Sequence, residues 1–256
     1  MTIYTHYYKN ARFTNFGDEL VEPILEFMSA GKKIEHVARD YQGKILCIGS
    51  ELAGGVLREN DVVWGYGAKY DRPIEVPDGV RIFATRGPMT RELIPAGSDG
   101  CGICGDPAIL MPLIYTPAEP AEKFRIGIIP HYVDFAKFKD LEDPAICVIN
   151  VKDNPFKIID QIASCDLIIS TSLHGCIVSE AYGKPVVWLQ VSDRIQGAAF
   201  KFNDYFTGSG RGLQEPVKLV NIGPRNIGKA TRERFWLPKP IHDREELMFA
   251  WREIWT

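Results

Sequence analysis

The chain has 256 residues, of which 45% are apolar and 25% charged, enough apolar surface to bury a core and too little polarity for a disordered chain. A formal net charge of −3 without a lysine- or arginine-rich run excludes a general nucleic-acid footprint. No stretch approaches the ~20 apolar residues of a membrane span, and the opening segment 1–13 has neither a long apolar core nor a small-residue cleavage site. The chain is therefore expected in the cytoplasm.

In chain order, Asn15-Phe16-Gly17-Asp18 comes first: Gly17 permits a tight backbone, and Asp18 can cap a helix over 18–30 that carries Leu20, Ile24, Phe27 and Met28. Short apolar runs at 44–49, 61–65 and 80–84 predict buried parallel strands. Arg86-Gly87-Pro88 follows the third run, so Arg86 emerges at a strand's carboxyl end and Pro88 suits the first turn of a helix over 86–95. An arginine there can fork onto carboxylate or phosphate. Gly65-Tyr66-Gly67 lacks the third glycine of a dinucleotide fingerprint, and the sequence has no phosphate-binding GxxxxGK[ST] loop. Cys101 and Cys104 form a CxxC without a second pair, so neither a metal site nor a disulfide framework is expected. Prolines at 112, 117 and 120 mark a linker, dividing the chain into lobes at 1–118 and 119–256.

Beyond the linker, runs at 125–129, 146–150, 167–170 and 186–189 alternate with helical patterns at 155–164 and 173–183, the signature of an α/β class. His131 stands at the end of the first of these strands, where it is either catalytic or a strand cap. Ser170-Thr171-Ser172-Leu173-His174-Gly175 reads as strand, tight turn and helix start. Backbone N–H groups there point into the crevice at the carboxyl end of the sheet, a place that favours anions. A plain helix cap fits the same residues. Asp193-Arg194 and the segment 201–211 combine cations, aromatics and glycines in what reads as a loop, either ligand-binding or solvated; Arg194, Lys201 and Arg211 are its candidate cations. An amphipathic helix over 243–255 is expected to close the second lobe.

Taken in order, Asn15-Phe-Gly-Asp18, Arg86-Gly-Pro88, Gly105-Asp-Pro107, Ile129-Pro-His131 and Ser172-Leu-His-Gly175 with Ala181-Tyr-Gly183-x-Pro185 resemble the polysaccharide pyruvyl transferase family. The segment 200–211 is most similar to ketal pyruvyl transferases of bacterial exopolysaccharide pathways, the xanthan and succinoglycan types. The resemblance implies two Rossmann-like lobes similar to the GT-B glycosyltransferase fold, phosphoenolpyruvate as donor substrate, no cofactor, and a terminal hexose of a lipid-linked oligosaccharide as acceptor. Peripheral contact with the inner membrane follows from such an acceptor. The family's donor-site arginine, leucine and histidine fall on Ser172, Leu173 and His174, so Ser172 is a departure. A second family arginine falls on Arg86.

On this reading His174 protonates C3 of the donor and Asp18 or His131 is the base. Asn15, Gly17, Arg86, Ser172, Leu173 and Gly175 bind substrate, together with Arg194, Lys201 and Arg211. Arg211 is the first choice to replace the missing arginine. Two rivals remain: a GT-B-like glycosyltransferase using a nucleotide sugar, and a non-catalytic binding module that has lost the arginine with its activity.

Overall fold

The apolar runs assemble into two separate parallel sheets. The structure, a computed structural model, describes residues 2–9, 14–98, 102–241 and 243–256, without the Arg234 side chain. In the first sheet, β1 (Thr2–Thr5), β2 (Lys33–His36), β3 (Ile45–Leu46), β4 (Val62–Tyr66) and β5 (Arg81–Thr85) lie in the order β2-β1-β3-β4-β5. In the second, β6 (Phe124–Ile129), β7 (Ile146–Val148), β8 (Cys165–Ser170), β9 (Val186–Gln190) and β10 (Val217–Lys218) lie in the order β10-β9-β8-β6-β7. Every strand pairing is parallel. The helices are α1 (Val21–Met28), α2 (Pro88–Arg91), α3 (Met111–Ile114), α4 (Pro155–Ala163), α5 (Leu173–Ala181), α6 (Ala198–Gly208), α7 (Pro224–Ala230) and α8 (Arg244–Glu253). This is the expected two-lobed α/β arrangement.

All seven expected strands are present. Three more, β1, β2 and β10, are short and lie at or near a sheet edge, and β2 is largely exposed, so their sequences carry polar residues that break an apolar run.

The supposed loop 201–211 is instead mostly helix α6, because Phe202, Tyr205 and Phe206 recur at helical spacing and are buried. Phe202 stacks on Trp188 of β9 with ring centroids 4.8 Å apart.

The C-terminal helix α8 also differs from expectation, packing on the first lobe rather than the second. Trp64 of β4 donates its indole N–H to Leu247 O at 2.8 Å, and its ring lies 4.9 Å from that of Trp251. A buried indole needs both an apolar neighbour and an acceptor, and α8 supplies the two together. Helix α6 crosses back as well, onto α2. One apolar cluster consequently runs through both lobes, joining Ile24, Trp64 and Trp251 to Ile129, Leu173 and Phe206.

Candidate active site

The second sheet's β8 ends at Ser170, and α5 begins three residues later. Ser172 caps α5 in extended conformation, its hydroxyl accepting from Gly175 N at 3.5 Å, while Ser170 Oγ accepts from Ser172 N at 3.0 Å. Ser172 thus caps α5, and the cap delivers His174 to the seam between the lobes. There the imidazole packs against Gly17: a Cβ built on Gly17 would lie 1.9 Å from His174 Nδ1. Only glycine permits so close an approach. The other ring nitrogen, Nε2, is enclosed and stands 3.5 Å from Asp106 Oδ2. In the sequence Asp106 stands only within the Gly105-Asp-Pro107 motif; its signal is an aspartate directly before Pro107, where it caps the turn Pro107–Leu110.

Asp18 follows Gly17 and is buried. It begins a 3-10 turn leading into α1, and Asn15 Nδ2 donates to its Oδ2. The 14–18 segment is held to the second lobe by Phe16 N, which donates to Val151 O at 3.0 Å. Burial pushes the Asp18 carboxyl up to about 6, with His174, the Asn15 hydrogen bond and Lys201 pulling in the other direction.

His131, at the end of β6, feels burial first and the charge of Lys201 next, and its imidazole is held down to about 3. It is therefore neutral near pH 7, and its Nδ1 accepts from Val133 N at 3.4 Å. Lys201 sits in the first turn of α6. Burial, with Arg86 and Lys69 close by, pulls its ammonium down to about 7, while Asp18 and Glu51 act oppositely. His174, Asp18, His131 and Lys201 thus form one electrostatically coupled group drawn from four elements of both lobes.

Three expected cations are engaged by carboxylates of the protein. Arg86 is buried and fully engaged: Nε donates to Asp204 Oδ2 at 2.9 Å, Nη1 to Ser50 Oγ at 2.6 Å, and Nη2 to Ala68 O at 2.6 Å. Its fork serves α6, correcting the expectation of a free donor clamp. Arg211 is likewise committed, donating to both carboxylate oxygens of Glu180 at 2.6 and 3.1 Å and stacking 4.7 Å from the Phe206 ring. It therefore does not stand in for the arginine absent at Ser172. Arg194 donates to Asp134 Oδ1 at 2.9 Å but keeps half its side chain in solvent.

Two adjoining cavities open beside α6. One, of 390 Å³, lies between the lobes against Lys69, Tyr70, Gln190, Asp193 and Phe200. The other, of 170 Å³, reaches Thr171, Trp188, Asn203 and Glu215. Neither is lined by His174; the link to the coupled group runs through Thr171, whose Oγ1 accepts from His131 N at 2.7 Å. Among the described residues no group of three or more His, Cys, Asp or Glu side chains could hold a metal ion, and no helix is long and apolar enough to cross a membrane. Cys101 of the CxxC lies outside the described residues.

Residues 78–193 match the family model for polysaccharide pyruvyl transferase. That span holds Arg86, Asp106, His131, Ser172 and His174. Succinoglycan biosynthesis protein ExoV of Rhizobium meliloti (strain 1021) is 25% identical over 247 residues, covering 90% of this chain and 72% of that protein. Uncharacterized protein L143 of Acanthamoeba polyphaga mimivirus is 34% identical over 130 residues, 48% of this chain and less than half (45%) of that protein's length. The crystal structure of an uncharacterized Klebsiella pneumoniae protein superposes with a TM-score of 0.47 at 14% identity, over 86% of this chain and 92% of that one.

Proposed function

From the match of residues 78–193 to the polysaccharide pyruvyl transferase family model, we propose that the chain moves the pyruvyl group of phosphoenolpyruvate onto a terminal hexose of a lipid-linked oligosaccharide and leaves a cyclic ketal. The observation that carries this reading is the coupled group His174, Asp18, His131 and Lys201 at the mouth of a parallel sheet, beside the capped N-terminus of α5. It combines what the reaction demands: an acid, a base and positive charge for an anion.

His174 donates a proton to C3 of the enolpyruvyl group, and positive charge develops at C2. A sugar hydroxyl adds there as Asp18 takes its proton. Phosphate then leaves with the C2–O bond's electron pair, and the neighbouring hydroxyl closes the ring, its proton passing to phosphate. Asp18 is the better base, because a carboxyl titrating at about 6 is mostly ionised near neutrality, whereas an imidazole titrating at about 3 is a weak base. His131, neutral, is left to donate a hydrogen bond.

Lys201 takes the place that Arg211 vacates, as the cation facing the donor's carboxylate and phosphate. The 390 Å³ cavity holds the acceptor, with Tyr70 offering an apolar ring face and Gln190 and Asp193 meeting hydroxyls. Contact with the membrane falls to the exposed Phe249 and Trp255 at the C-terminal helix.

Thermal-shift measurements with phosphoenolpyruvate, UDP, GDP and CMP test the reading. Stabilisation by phosphoenolpyruvate alone is expected. A shift with a nucleotide instead would favour a glycosyltransferase, and no shift with any of them a non-catalytic module.

A further inference from the structure

Among the described residues, four buried side-chain atoms lack a hydrogen-bond partner, and two of the four face each other: Asp106 Oδ2 and His174 Nε2, 3.5 Å apart. A buried polar atom left unpaired costs about 1–3 kcal/mol, so two such atoms pointing at one another call for a shared explanation. Asp106 is all but sealed from solvent. Its other oxygen, Oδ1, is already committed as the cap of the Pro107–Leu110 turn, accepting from Ala108 N at 3.0 Å. The turn needs nothing from Oδ2, which is free to serve the imidazole alone.

The geometry points to Asp106 as a positioning residue for His174: its Oδ2 holds the proton on Nε2 and supplies the counter-charge when the ring is cationic, so that Nδ1, on the Gly17 and Asp18 side, is the nitrogen that gives up the proton. This deepens the proposed role of His174 and rests on it. A carboxylate on the far nitrogen of an imidazole fixes its tautomer and orientation without itself being protonated. Here the carboxylate comes from the first lobe, where β5 pairs at Thr85 with Cys104 just ahead of Asp106. The histidine comes from α5 of the second. The acid is therefore completed only when the two lobes meet.

The D106N variant separates capping from positioning. Its amide oxygen keeps the turn's cap, which obliges the NH₂ group to face His174, and a donor facing Nε2 selects the opposite tautomer. The readout is the ring ¹⁵N spectrum of histidine-labelled protein, with H174Q used to identify the His174 signals. Nε2–H is expected in the neutral ring of the wild type and Nδ1–H in D106N. In the transfer assay, D106N is expected to lose ~10²–10⁴-fold in kcat while its phosphoenolpyruvate dissociation constant stays within about threefold. Nδ1–H in the wild type would overturn the proposal without recourse to any variant, as would an unchanged tautomer in D106N or a loss confined to donor affinity. If the tautomer switches but the wild type transfers no pyruvyl group, the pairing stands and the proposed reaction fails.

Discussion

Lys201 shows how a single side chain's surroundings set its use. An ammonium pulled down to about 7 by burial and by Arg86 and Lys69 is only partly charged near neutrality, and an anion binds the charged form. Donor binding must therefore take up a proton as the pH rises above about 7, and affinity should weaken, approaching tenfold per pH unit in the limit. Calorimetric titration with phosphoenolpyruvate between about pH 7 and 9 is expected to show that slope in the wild type and to lose it in Lys201→Met. A slope retained in the variant would move the cation elsewhere.

Arg86 and Arg211 depart from the sequence expectation for one physical reason. Each has the chemistry of an anion clamp, but each is neutralised by a carboxylate distant in sequence, 118 residues away for Asp204 and 31 for Glu180. Nothing in the local pattern announces such a partner. Lys201 has no comparable ion pair among the described residues, and in the sequence it is only one cation among three.

At the scale of elements, the helix starts were the legible part of the site. A serine before Leu-His-Gly and an aspartate after Phe-Gly predicted starts at Leu173 and near Asp18; both are found, but only Ser172 caps its helix, whereas Asp18 lies inside a 3-10 turn and makes no cap hydrogen bond. What the sequence could not convey is that these two starts meet, with the Gly17 backbone against the His174 ring. Gly17→Ala tests the contact, since the added methyl would lie 1.9 Å from Nδ1 and must displace either the ring or the loop. The expected result is a fall of ~10² in kcat and a stability loss of about 1–3 kcal/mol, read by steady-state kinetics and urea unfolding. Unimpaired turnover would show that the loop can withdraw without consequence.

The buried strands were legible because a strand covered on both faces is a continuous apolar run, as in β4 and β8. Helix α6 was not, because glycines flank it and lysine, asparagine and aspartate interrupt its apolar face. Its amphipathic character depends on the α2 contact, where Asp204 accepts from both Arg86 and Thr90.

For the whole molecule, the feature of most consequence is that the chain returns to its first lobe after completing the second. Helix α6 ties to α2 and α8 ties to β4 and β5, so a single cluster of apolar side chains spans both sheets. The lobes should therefore unfold together. Trp251→Ala would remove the ring against Trp64 and leave a cavity at the centre of that return, at a cost of about 3–5 kcal/mol. One cooperative urea transition at lower midpoint is expected. Two separated transitions would show that α8 stabilises the first lobe alone.

A shared core also fixes where Asp106, Gly17 and Asp18 of one lobe stand relative to His174, His131 and Lys201 of the other, which the proposed chemistry requires. The most direct measurement is the conversion of a lipid-linked oligosaccharide with phosphoenolpyruvate by the wild type and by His174→Ala, following phosphate release together with the acceptor's gain of a pyruvate ketal. Equal amounts of phosphate and ketal are expected from the wild type, with transfer lowered ~10²–10⁴-fold in the variant and donor binding retained. Near-full ketal formation by His174→Ala, or phosphate release without any ketal in the wild type, would contradict the assignment of this seam as the site of pyruvyl transfer.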